Sequence, residues 1–404
     1  MATIKHKPFW TTERRSHNAF GFPRDEVDIA IIGGGLKGLA TMYFLSQYNL
    51  RCIILERGTL GCGESSRNIG AVCTVPDCSP NTHSEDVIIE RVRLAEKSRD
   101  MLKELIHEIS YDADLVCNGG VHLAANETQV AQLEVLHGLL VKNGIVCDEL
   151  DHKQVADLVA GKFTAGLYYP GEATINPSKL LDLLIAINGT FVNNSAVEYF
   201  TVDHIEETDD GVDIMSDEGM LVKARTAVIC TDNLTHFYTD PAELFGPETA
   251  SLCFTTSPIE KVAGKIPMTA RTVTGIQAWS IQDGRLIYSF RGRPTQGGNF
   301  GYNDDDIRKA QRFLTQYVPF SKGHYYQEYI WSSNYRKPMS LLPFTRLAPG
   351  SNKVVLNAGY GYSVLDLFLA GAERAAKRVK DVLTQESLGG VEGAEPAPAR
   401  DPEE

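Results

Sequence analysis

The chain reads as an α/β protein with a second, α+β lobe built on an antiparallel sheet, and three observations predict it. Near the N-terminus a β-rich run, three glycines and an amphipathic helix precede another β-rich run, the order of a βαβ unit. Between about 250 and 335, aromatic residues alternate with turn residues, as antiparallel strands do. At 404 residues, 43% apolar and 23% charged, the chain is long enough for two lobes and ordinary for a globular protein.

Each element follows in order. Residues 1–23 form an irregular lead-in. Val27–Ile32 is a strand, Gly33-Gly34-Gly35 a turn, and Leu36, Leu39, Ala40, Tyr43 and Phe44 mark a helix. Cys52–Leu55 is the second strand. A helix is predicted over about 84–110, a strand near 120–125 and a helix over 129–143. Residues 164–176 read as strand and loop, and Pro177 opens a helix. Strands return at Ala196–Ile205, Val212–Met215 and Ala227–Thr231, with Asp209-Asp210-Gly211 as a hairpin turn. A helix at 304–317 interrupts the aromatic stretch. Lys353–Asn357 is a last strand, followed by a glycine turn and a helix over 364–383. Residues 385–404 read as a disordered acidic tail.

The expected division is discontinuous. Residues 24–82, 165–232 and 338–384 build a nucleotide-binding lobe, and residues 83–164 and 233–337 build a substrate lobe. The net charge is −13, of which the tail supplies −5 through six acids and one Arg. That balance disfavours nucleic acid as a partner. No run of 18 apolar residues offers a membrane span. Arg14-Arg15 is followed by polar Ser16–Glu26 rather than an apolar stretch, so a cytoplasmic location is expected. The eight cysteines include no Cys-x-x-Cys pair, and no histidines cluster near Cys73 and Cys78. No metal site is therefore expected. Oligomerisation stays open.

Gly33-x-Gly35-x-x-Gly38 between strand and helix fits a dinucleotide fingerprint. Gly33 permits the tight turn, Gly35 lets backbone approach a pyrophosphate, and Gly38 lets helix and strand pack closely. The helix N-terminus then offers N–H groups to phosphate. Glu56, at the end of the second strand with Arg57 beside it, is placed to accept ribose hydroxyls. The fold is thus a Rossmann-like dinucleotide domain plus a discontinuous antiparallel-sheet domain.

Next comes Gly63-Glu64-Ser65-Ser66-Arg67-Asn68-Ile69-Gly70. It resembles the second signature of the D-amino-acid oxidase-like superfamily of FAD-dependent oxidoreductases, where a Gly-x-Ser-x-Arg-Asn-x-Gly segment lies against FAD. The resemblance runs over roughly residues 18–383. It includes Asn118-Gly119-Gly120-Val121, Gly171 with Ile175-Asn176-Pro177, and Val197, where members pass backbone beside the adenine. Trp331, Asn334, Pro343, Arg346-Leu347 and Asn357-Ala358-Gly359-Tyr360 are similar to gamma-glutamylputrescine oxidase and glycine-sarcosine oxidase-type members. Those oxidases read Gly-Tyr-Ser-Gly-His-Gly where this chain has Gly359-Tyr360-Gly361-Tyr362-Ser363. One residue is deleted and the His and last Gly are replaced, a change beside the flavin ring in relatives. Asp232 also stands where a small residue is usual.

The resemblance implies FAD held by Gly33, Gly35, Gly38, Glu56, Arg57, Ser65, Ser66, Arg67, Asn68, Gly70, Val197, Gly359, Gly361, Tyr362 and Ser363. The binding is expected to be noncovalent, since no Cys follows Cys253 and Asn68 replaces the attaching His of some relatives. It also implies oxidation of a C–N bond of a small amine or amino acid by hydride transfer to flavin, giving an imine. Candidate substrate residues are Arg336, Tyr288, Arg291, Lys337 and Tyr362. Arg336 stands where many relatives hold a carboxylate-binding Arg. Tyr288 and Arg291 lie at i and i+3 on a strand, so at most one faces a pocket unless a bulge intervenes. Two other readings stay open: a 2-hydroxy-acid dehydrogenase, and a flavin-binding partner protein without catalysis.

Overall fold

The computed structural model describes residues 4–12, 19–21, 26–77, 82–159, 162–231, 245–259, 269–294, 302–318 and 326–389. Asp232, Cys78 and residues 390–404 lie outside them. The chain opens with a 3-10 turn at Phe9–Thr12, then β1 (Glu26–Ile32), α1 (Leu36–Ser46), β2 (Cys52–Leu55) and the short β3 (Ala71–Val72). After these come α2 (Glu85–Ile109), β4 (Gly120–Ala124), α3 (Glu127–Lys142), β5 (Asp148–Leu150) and α4 (His152–Val159). The middle holds β6 (Ala165–Tyr169), β7 (Ala173–Thr174), α5 (Pro177–Gly189), β8 (Asn194–Val197), β9 (Val202–Glu207), β10 (Val212–Ser216) and β11 (Leu221–Ile229). Then β12 (Phe245–Thr256), β13 (Thr269–Thr272), β14 (Gln277–Gln282) and β15 (Arg285–Pro294) precede α6 (Asp304–Tyr317). The chain closes with β16 (Gln327–Pro338), β17 (Phe344–Leu347), β18 (Val354–Ala358) and α7 (Val364–Gly389).

The first sheet runs β17-β18-β11-β1-β2-β8, with β10 and β9 added beside β11. The pairs β18–β11, β11–β1, β1–β2 and β2–β8 are parallel, so their carboxyl ends share one edge. These strands are apolar on both faces because α1, α5 and α7 cover one side. Leu36, Leu39, Leu181, Leu184, Phe368 and Val379 are buried together there. The second sheet runs β16-β12-β15-β14-β13-β4-β6-β5 and is mostly antiparallel. One of its faces packs on α6 through Leu252, Phe254, Trp279, Tyr288, Ala310 and Leu314. Its other face meets the first lobe.

Several expectations need correction. The strand read as Ala196–Ile205 is two, because the extended backbone breaks at Tyr199, whose φ is +60°. Its N–H and that of Phe200 bond to Gly58 and Glu56 carbonyls instead of continuing a ladder. The helix α4 was not read from the sequence. Residues 165–169, assigned to the nucleotide lobe, pair as β6 in the second sheet. α2, assigned to the substrate lobe, places Leu102 and Leu105 in the core of the first. Residues 385–389 are the end of α7 rather than tail. Part of the lead-in is anchored: Trp10 is buried, and its Nε1–H donates to the Asn68 carbonyl at 2.9 Å.

Candidate functional site

At the carboxyl edge of the parallel sheet, β1 breaks at Gly33, whose φ of +103° a β-carbon would strain. A Cβ at Gly38 would stand 1.9 Å from the Gly33 carbonyl oxygen, so only glycine lets α1 pack this close. A Cβ at Gly35 would stand 2.6 Å from Ser65 Oγ. That hydroxyl accepts the Leu36 N–H at 3.0 Å, tying the second glycine-rich segment to the start of α1. Glu56 accepts Gly34 N–H at 2.7 Å through one oxygen and Gly58 N–H at 2.9 Å through the other. Its own N–H bonds to the Val197 carbonyl, which sets Glu56 and Val197 side by side at two strand ends. Arg57 is exposed beside them. The glycine cradle, the α1 N-terminus and an acid one strand over fit the pyrophosphate and ribose of a dinucleotide.

The second segment is bound into a loop of its own bonds. Ser66 Oγ donates to the Gly63 carbonyl, Asn68 Nδ2 to the Ser65 carbonyl, and Gly70 N–H to Asn68 Oδ1. Arg67 donates to the Ser332 carbonyl at 3.1 Å and Trp331 Nε1–H to the Arg67 carbonyl at 2.8 Å. The segment therefore rests on the inner face of the second sheet.

Between them lies a cleft holding about 730 Å³ of space, mouth included, lined in part by Arg67, Asn68, Cys73, Asp77, Arg291, Tyr335, Gly361, Tyr362, Ser363 and Asp366. The pleat decides which sheet residues reach it. Ser251, Cys253, Ser289, Arg291, Ser333 and Tyr335 line the cleft, while Leu252, Phe254, Tyr288 and Ile330 face the α6 core. Tyr288 is fully buried there, which removes it from the substrate candidates. Arg336, half-buried on β16, is not among the residues lining the cleft. Of the remaining candidates, Arg291 and Tyr362 meet directly: the guanidinium carbon sits 3.9 Å from the ring centroid. Lys337 is exposed, its ammonium 5.2 Å from the same ring. Tyr335 meets Tyr362 edge-on at 5.4 Å. Gly359 holds φ +84°, and a Cβ there would stand 2.7 Å from Phe344.

Sequence reading missed the charges behind the wall. Arg291 is ion-paired with Asp77. Arg271, buried, is ion-paired with Asp77 at 2.9 Å and donates to both Glu172 oxygens at 2.6 Å. Asp366 accepts Arg91 at 3.0 Å and the Cys73 N–H at 2.7 Å. Burial pushes the Asp366 carboxyl up to about 6, with Arg91 opposing. Burial also works against ionisation of Asp77, yet Arg291, His122 and Arg271 hold that carboxyl below its ordinary range. Glu64 is raised by burial, although Ser333 Oγ and Asn334 N–H donate to it at 2.8 and 3.0 Å. No local motif announces these pairs; partners such as Glu172 and Arg271 meet only through the fold.

The sequence matches the model of the FAD dependent oxidoreductase family over residues 28–378. Among curated proteins, gamma-glutamylputrescine oxidoreductase of Escherichia coli is 28% identical over 118 residues, 26% of each chain. Glycine oxidase of Geobacillus kaustophilus is 27% identical over 168 residues, 38% of this chain and 41% of that one. Glycerol 3-phosphate oxidase of Mycoplasma genitalium is 30% identical over 127 residues, 31% of this chain and 30% of that one. The chain thus matches less than half the length of each. The solved glycine oxidase from G. kaustophilus superposes with a TM-score of 0.74 at 19% identity, covering 90% of this chain and 95% of that one. L-proline dehydrogenase from P. horikoshii gives 0.76 at 16% identity, covering 89% and 94%. These superpositions bear on the fold; with the family match spanning both lobes, the chain belongs to the FAD-dependent oxidoreductase (DAO) family and is an FAD-dependent enzyme.

Proposed function

We propose that this enzyme oxidises a C–N bond of a small amine or amino acid in the cleft beside Tyr362. When bound, FAD supplies the acceptor, at flavin N5, for hydride from the substrate carbon, and the resulting imine can hydrolyse in water. The residues that would hold it are the glycine cradle, Glu56, Val197, the Ser65–Gly70 loop and the Gly359–Ser363 turn. The observation that carries the substrate reading is Arg291. It lies on the cleft wall, stacked on Tyr362, with one terminal nitrogen committed to Asp77. A planar guanidinium so fixed suits a substrate carboxylate. Tyr335 and Tyr362 wall the same region.

Among the described residues lining the cleft there is no histidine. An amine that arrives deprotonated needs no base for its own proton, whereas oxidation of a hydroxyl does. The names of the gamma-glutamylputrescine and glycine relatives favour C–N over C–O oxidation. The glycerol 3-phosphate oxidase match is the observation on the other side. Anaerobic mixing of the FAD-loaded protein with amines, amino acids, 2-hydroxy acids and glycerol 3-phosphate separates the cases. Bleaching of the flavin by amines or amino acids is the expected result; bleaching only by hydroxy compounds, or by nothing, overturns the proposal. For an amino acid that bleaches it, R291M is expected to lower kcat/KM about tenfold to a hundredfold, the worth of a charge-assisted pair.

A further inference from the structure

The wall residue Arg291 does not face Asp77 alone. Asp77 lies at the end of a strap, Cys73–Asp77, of which Cys73, Val75, Pro76 and Asp77 line the cleft. Buried charges grip this strap from behind. Glu172 accepts the Thr74 and Val75 N–H groups at 3.2 and 3.4 Å. Arg271 donates to the Val75 carbonyl at 2.9 Å while its Nε reaches Asp77 at 2.9 Å and His122 Nε2 at 2.6 Å. Glu172 and Arg271 are 0% and 2% exposed on their side chains, and neither lines the cleft. A buried ion pair costs desolvation that apolar residues would not, and a fork reaching four partners is what Arg, not Lys, can make. The function of this pair is therefore to be sought in what it holds.

We propose that Arg271, fixed by Glu172, is a positioning residue for substrate carboxylates: it holds Asp77 from behind, so that Asp77 orients Arg291 without quenching it. The electrostatic reason is direct. Asp77 shared between two guanidiniums leaves Arg291 with unspent positive charge toward the cleft. With Arg271 removed, Asp77 turns its whole charge on Arg291, and a substrate carboxylate must compete with it. The inference rests on the amine or amino-acid reading, since it concerns the same Arg291.

The test uses the FAD-loaded protein and propionate, a carboxylate without an amine, titrated by its perturbation of the flavin spectrum. Parent, R271M, D77N and R271M/D77N are compared, with flavin content and melting temperature recorded for each. R271M is expected to weaken propionate at least tenfold in the parent and less than twofold in the D77N background, because Arg271 acts through Asp77. Where R271M alone does not fold, E172Q/R271M removes both buried charges together and replaces it in the cycle. Equal weakening in both backgrounds, or none in a variant that keeps its flavin, overturns the proposal. If propionate perturbs parent and R291M identically, the Arg291 reading itself fails and takes this one with it. An effect lost in R291M but insensitive to R271M sinks the positioning role alone.

Discussion

Two single residues carry consequences beyond the cleft. The Tyr288 hydroxyl is buried with no hydrogen-bond partner among the described residues, its ring 5.0 Å from that of Phe254. A buried hydroxyl without a partner costs roughly 1–3 kcal/mol. Y288F is therefore expected to stabilise the protein by about 1 kcal/mol, read as a higher urea midpoint, with turnover unchanged; a lower midpoint would show that the hydroxyl has work to do. Asp366 titrates in the opposite sense from an ordinary surface acid. Burial moves its carboxyl from 3.8 up to about 6, so the folded state binds its proton more tightly than the unfolded chain does. Its contribution to stability is full below about pH 4 and is lost as pH rises through about 6. At about 1.4 kcal/mol per unit, the loss is on the order of 2–3 kcal/mol. D366N, which does not titrate, should lose less stability than the parent between pH 4 and 7 in urea melts. Parallel pH curves for the two proteins would contradict this.

At the scale of elements, the pleat and the glycine turn do most of the sorting. Tyr288 and Arg291 stand three apart on β15, and a strand must send them to opposite faces. The sequence shows that much, but not which face is wet. Pairing of β15 with β12 settles it, because Leu252, Phe254 and Tyr288 share the side that α6 covers. Arg336, on β16, is not among the residues lining the cleft. The glycine turn was legible because its demands are local. G38A sets a methyl 1.9 Å from the Gly33 oxygen, and overpacking of this kind costs about 1–3 kcal/mol. The expected outcome is purified protein with much less flavin per chain. Full flavin content in G38A would mean that α1 can retreat without disturbing the cradle.

For the whole molecule, two large sheets draw on alternating pieces of one chain, and FAD would touch several of those pieces. Ligand bound only by the folded form stabilises it by mass action, so removing FAD should lower the melting temperature. Noncovalent attachment is expected. Cys253 lines the cleft, but burial pushes its thiol up to about 12, which keeps it protonated and a poor nucleophile. Acid precipitation should leave a colourless pellet and FAD in the supernatant; a yellow pellet would show a covalent bond. Among the described residues no helix is long and apolar enough to cross a membrane.

What the sequence by itself determined is the set of features whose cause is local. These are the strand, glycine turn, helix and acid from Val27 to Glu56, the capped helix at Pro177, the hairpin at Asp209–Gly211 and the resemblance of the Gly63–Gly70 segment. Each depends on residues within a few turns of one another, where steric limits and capping act directly. Tertiary structure decided the division of the lobes, the wet face of the second sheet and the charges behind it. Arg271 meets Glu172 across 99 positions, and Asp366 meets Arg91 across 275. Their affinity comes from being buried together, and burial is a property of the packed chain, not of any stretch of it.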